Sequence, residues 1–142
     1  MSKFLYIASI IVLATACSKV KKTKRKLTGE WTVLSYQFTN INGLSYFYEP
    51  SVSNFQFGNC PEKQCDYSFF MQYENQGSTV EFNQSGYYEF VENNGEYFEL
   101  YRDNGIGGVD TLHKARIILI TKDDLKAEFG DGNGRHVFIM QK

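Results

Sequence analysis

At 142 residues the chain is long enough for one domain with a real hydrophobic core and too short for several. Its formal net charge is only −1, but that charge is unevenly placed. Lys19, Lys21, Lys22, Lys24, Arg25 and Lys26 form a basic run, and from Leu27 onward eight Lys or Arg face 16 acids, a body at −8 that repels a polyanion and so excludes a nucleic-acid partner.

In chain order, the first feature is a secretory signal. Lys3 gives a basic start, and Phe4 to Ala14 form an apolar run broken by Ser9. This core is shorter than the ~18 residues of a membrane span. Thr15 and Ala16 are the small residues that a signal peptidase needs before its cut, and Cys17 follows directly. The segment resembles bacterial lipoprotein signal peptides, with Leu13 one place before the usual aliphatic position. The resemblance implies cleavage after residue 16, lipidation of Cys17 and anchoring to the cell envelope. It also implies an outer-membrane address facing the periplasm, since Ser18 stands where an inner-membrane retention signal places Asp. Residues 17–26 then read as a basic linker on anionic headgroups, each cation contributing on the order of 1 kcal/mol.

From Leu27 the pattern is strand and turn, with no convincing helix. Aromatic and β-branched residues alternate with Gly, Asn and Asp punctuation. Strands are predicted at 30–39, 44–48, 54–57, 66–73, 78–83, 87–92, 96–101, 112–121, 125–129 and 136–140. Asn42-Gly43 and Asn93-Asn94-Gly95 supply hairpin turns, and Asp131 to Gly134 another. Residues 102–110 read as the longest flexible connection. Nearly all loops are hairpin-length, which favours an antiparallel up-and-down meander closed into a barrel over a two-sheet sandwich. Cys60 and Cys65 flank a hairpin tip containing Pro61. In an exported protein such a pair is expected as a disulfide, removing roughly 2 kcal/mol of unfolded-state entropy.

Gly29-Glu30-Trp31 opens the first long strand. A Gly-x-Trp at this place resembles the start of the lipocalins and of lipocalin-like domains in small bacterial lipoproteins. The resemblance covers residues 27–142 and implies a barrel of about eight strands. In it Gly29 lets the chain bend into the strand and Trp31 plugs one end. Antiparallel closure brings the end of the last strand beside the start of the first, so Lys142 is the cation expected over Trp31.

Nothing in the sequence assembles a catalytic, metal or cofactor site. His113 and His136 lack a nucleophile context, and Gly-x-Ser-x-Gly, Cys-x-x-Cys and His-Glu-x-x-His are absent. Asp131 to Gly134 reads as a turn and not a calcium loop, because later carboxylates are missing. The expectation is a binding protein and not an enzyme. Its abundant aromatics either fill the barrel or line a pocket for a small apolar or amphipathic ligand, with Tyr36, Phe38, Tyr88, Phe90 and Phe98 as candidate lining residues. The alternative is a filled barrel docking another envelope protein.

Overall fold

The computed structural model describes residues 19–59, 63–92, 94–103 and 109–142. Among the described residues the chain is all-β apart from one short helix. Its strands are β1 (Gly29–Asn40), β2 (Ser45–Tyr48), β3 (Val52–Phe57), β4 (Gln64–Asn75), β5 (Ser78–Phe90), β6 (Tyr97–Asp103), β7 (Val109–Ile120), β8 (Asp124–Asp131) and β9 (Gly134–Gln141). β1 and β3 to β9 pair antiparallel in sequence order, and β9 returns to β1 from Thr32↔Gln141 to Asn40↔Gly134. Eight strands therefore close into a barrel. β2 is an extra strand, laid on the distal half of β1 from Tyr36↔Tyr48 to Thr39↔Ser45. β3 meets β1 only at the other end, over Gly29 to Trp31.

Alternation fixes which residues face inward. Trp31 and Val33 on β1, Phe55 and Phe57 on β3, Tyr67 and Met71 on β4, Phe98 and Leu100 on β6, and Phe138 and Met140 on β9 are all buried. The two ends are unlike. At the end where β1 starts, Leu27, Trp31, Phe57, Cys65, Tyr88, Phe98, Leu125 and Met140 are all 2% exposed or less. Each fully buried large side chain of this plug contributes about 1.5–3 kcal/mol. At the other end two seams are looser, β1–β3, which pairs only over Gly29 to Trp31, and β5–β6. β5 pairs with β6 only from Tyr87 to Phe90, so residues 78–86 pair with β4 alone among the described strands.

Three sequence expectations change here. Within the basic linker expected over 17–26, residues 19–27 form a helix where no helix was expected. Val20, Thr23, Lys24 and Leu27 turn toward the barrel while Lys19, Lys21, Lys22 and Arg25 stay exposed, a 3.6-residue period that charge density had obscured. The helix is tied down at its end: the Thr28 N–H donates to Lys24 O at 3.0 Å, and Lys26 Nζ to Ile120 O at 3.4 Å. The second change is that segments 78–83 and 87–92 are one strand, β5, running through Gly86. Gly86 is no breaker. A Cβ there would lie 1.8 Å from Tyr101 O, so glycine is what lets β6 approach. The connection over 102–110 is also shorter than expected, since Arg102 pairs with Asp110 and Asp103 with Val109.

Candidate ligand-binding site

The closed end is organised around Trp31. Gly29, at φ 119°, bends the chain from the helix into β1, a conformation open to glycine. Trp31 is 1% exposed, and its indole Nε1–H donates to Leu27 O at 2.7 Å. The Lys142 ammonium lies 4.6 Å from the centre of the Trp31 ring and donates to Lys26 O and Thr28 O, each at 2.8 Å. One side chain therefore ties the last strand, the helix end and the Trp together. Tyr88, Phe90 and Phe98 also belong to this end: Tyr88 and Phe98 meet Phe57 edge-on at 5.2 and 5.9 Å, and Phe90 packs on both. Tyr88 donates to Gly58 O at 3.1 Å, and burial pushes its phenol up to about 12. These three were expected to line a ligand pocket. They form the plug instead, because strand register carries them to the opposite end of the barrel from Tyr36.

Tyr36 does line the cavity. At the open end a cavity of about 110 Å³ lies among Tyr36, Tyr67, Phe69, Met71, Gln84, His113, Phe129, Asp131, His136 and Phe138. It sits beside the half of β5 that pairs with β4 alone among the described strands. Phe38 borders a separate, shallower depression of about 390 Å³ together with Tyr46, Tyr48 and Tyr73. Tyr36 touches both regions, with its ring centre 5.7 Å from Tyr48 and 5.5 Å from Tyr73.

One wall of the cavity is a column of flat rings. His113 stacks on Phe129 at 4.4 Å, Phe129 on His136 at 4.8 Å, and Tyr36 lies 7° from parallel to His136. A hydrogen-bonded chain runs along its edge. The Asn133 and Gly134 N–H groups donate to Asp131 Oδ1 at 2.8 and 3.0 Å, and Asp131 Oδ2 faces His136 Nε2 at 3.1 Å. A carboxylate there fixes the proton on Nε2, leaving Nδ1 to accept from the Tyr36 O–H at 2.8 Å. Burial opposes charge on Asp131, yet the Asn133 and Gly134 N–H groups and His136 outweigh it and hold the carboxyl below its ordinary value. Burial, with Tyr73, Tyr48 and Asp131 adding to it, raises the Tyr36 phenol far above its ordinary value, so it stays a neutral donor and not a nucleophile.

The sequence reading missed His113, Phe129, Asp131, His136 and Phe138 as cavity residues. Their signal was present. Phe129 and Asp131, then His136 and Phe138, alternate on either side of a tight turn, and such positions face one side of a hairpin. Gln84 and Tyr67 complete the opposite wall, with the Gln84 amide donating to the Tyr67 oxygen. Cys65 is buried at the closed end, whereas Cys17 and Cys60 lie outside the described residues. Among the described residues no three His, Cys, Asp or Glu side chains gather as a metal site.

An eight-stranded antiparallel barrel with a Trp-plugged end and a small cavity at the other is compatible with a lipocalin-like fold. No known family matches the chain, and no curated protein matches it. The class rests on geometry alone.

Proposed function

We propose that this protein is a lipid-anchored binding module that holds a small, single-ring or similarly compact amphipathic molecule at the open end of its barrel. The observation that carries this reading is the cavity of about 110 Å³ with one aromatic wall and a hydrogen-bonded polar edge. Ligand sites typically pair an apolar lining with a few placed polar groups. At this size the cavity excludes long lipids and large cofactors, since drug-sized pockets run about 300–1,000 Å³. Binding would be passive.

The anchor is Cys17, on the signal-like segment before it. Its placement is supported by the helix over 19–27, whose exposed Lys19, Lys21, Lys22 and Arg25 lie at the closed end. An anionic leaflet would meet that end, leaving the cavity directed into the periplasm. The Cys60–Cys65 disulfide belongs to the same reading and is supported by Cys65 being buried and bonded rather than a free thiol.

Native mass spectrometry of protein produced in its own host without its lipid anchor, and so purified free of detergent, tests the binding reading. A stoichiometric co-purified small molecule is the expected result. A bare mass across independent preparations would turn the account toward docking of an envelope protein. For that second reading one observation speaks: Ile41, Leu44 and Phe47, on the β1–β2 hairpin, are 76, 58 and 70% exposed.

A further inference from the structure

The depression beside the cavity has a chemistry of its own. It lies between the β1–β2 hairpin and the β4–β5 turn, and its volume of about 390 Å³ falls in the roughly 300–1,000 Å³ of small-molecule sites. Tyr36↔Tyr48 and Phe38↔Tyr46 are cross-strand partners, so alternation puts Phe38, Tyr46 and Tyr48 on one face of β1 and β2. The Phe38 and Tyr46 rings lie 19° from parallel with centres 6.4 Å apart, and Tyr73 on β4 meets Tyr48 at 4.3 Å. These rings make a platform with a neutral, polar rim. Asn40, Asn75 and Gln76 complete the lining, and no charged side chain lines the cleft among the described residues.

Unlike those at the edge of the cavity, these polar groups are not engaged inside the protein. The Tyr46, Tyr48 and Tyr73 hydroxyls and the Asn75 and Gln76 amides have no hydrogen-bond partner among the described residues, and those of Tyr48, Tyr73 and Asn75 are open to solvent. Asn40 is held in place, since its Oδ1 accepts from the Asn42 and Leu44 N–H groups at 3.0 Å each, leaving Nδ2 as a preset donor. A hydrocarbon here would strip water from all these groups without replacing it, at about 1–3 kcal/mol each. A pyranose matches both features. Its C–H faces suit the electron-rich faces of the rings, and the hydroxyls around its edge both donate and accept.

We propose that this cleft is a second binding site, separate from the cavity, and that it takes a neutral pyranose sugar, free or as one unit of a glycan chain. The sugar lies on the Phe38, Tyr46, Tyr48 and Tyr73 rings, and its hydroxyls reach the phenols and amides of the rim. An acidic sugar is disfavoured, because the rim holds no cation and the barrel body is net negative. The site does not depend on occupancy of the cavity.

The test is saturation-transfer NMR on the full-length protein in nanodiscs, irradiating aromatic protons, with empty nanodiscs as the blank. The probes are methyl glucoside, methyl galactoside, N-acetylglucosamine, cellotetraose, chitotetraose and glucuronate. Saturable transfer to the ring C–H protons of a neutral sugar is expected, with glucuronate the weakest probe. A tetrasaccharide that binds tighter than its monosaccharide marks a chain as the source, and equal affinities mark a free sugar. Tyr46→Ala and Gln76→Gly should each weaken binding about five- to tenfold, the worth of one ring or hydrogen-bond contact. Gln76 stands at φ 53°, which glycine accepts, so that variant keeps the turn. Phe47→Ala, on the outward face of β2, should leave binding unchanged. Transfer to none of the neutral sugars, a preference for glucuronate, or binding that survives both cleft variants or falls equally in Phe47→Ala overturns the proposal.

Discussion

Trp31 shows how much a single side chain holds in this molecule. It is the plug, the hydrogen-bond partner of the helix end and the ring beneath Lys142. Trp31→Ala should cost about 3–5 kcal/mol in chemical denaturation with no ligand present. Trp31→Phe keeps most of the ring but strands Leu27 O, and should cost less. At the open end, titration makes stability depend on pH. Burial pulls the His113 imidazole below its ordinary 6.5, with Asp131 working the other way and His136 adding to the depression. A depressed group contributes stability in full above its unfolded value and loses it as pH falls through the folded value. Urea midpoints should therefore be flat above about pH 7 and decline as pH drops below about 6.5. A second decline should set in below about pH 3.8, where the aspartate of the unfolded chain takes up a proton that folded Asp131, held below its ordinary value, still refuses. In His113→Phe the first decline should shrink while the second remains.

Among the elements, the helix and β5 carry the tests. Leu27 is completely buried at the helix end, so Leu27→Ala should cost about 2–5 kcal/mol, whereas replacing Lys21 and Lys22 by Gln should leave thermal stability nearly unchanged. Gly86→Ala would push a methyl into the Tyr101 carbonyl, and should destabilise by at least the ~1–3 kcal/mol of an overpacked core site. Strand identity was legible in sequence because alternation and turn chemistry are local. Gly43, Gly77 and Gly95 all take positive φ at hairpin turns, and each sits in a turn-forming run. What was not legible is non-local. Tyr36 and Tyr88 are both inward-facing aromatics on long strands, and alternation treats them alike. Only the register of β1 against β9 and of β4 against β5 carries one to the cavity and the other to the plug. The helix escaped notice for a different reason, since its half-buried face includes Thr23 and Lys24, and the surrounding charge density hid its 3.6-residue period.

At the scale of the whole molecule, the barrel has a division of labour between its ends. The cationic helix and the Trp plug occupy one end, and a small cavity beside a loosely paired seam occupies the other. Cys17→Ser should yield an unprocessed precursor or a protein lost from the membrane fraction, read by fractionation and intact mass. A processed species still in the outer membrane would remove the lipid anchor from the account. On the proposed reading, ligand enters the open end and leaves the plug untouched. Met71 and Met140 are buried reporters of the two ends, Met71 lining the cavity and Met140 within the plug. Labelled methionine methyls, followed by NMR during titration with a co-purified compound or with phenol, test the claim directly. A saturable shift of the Met71 methyl with Met140 unmoved is expected, whereas a Met71 signal indifferent to every probe, or a response confined to Met140, would overturn entry at the open end.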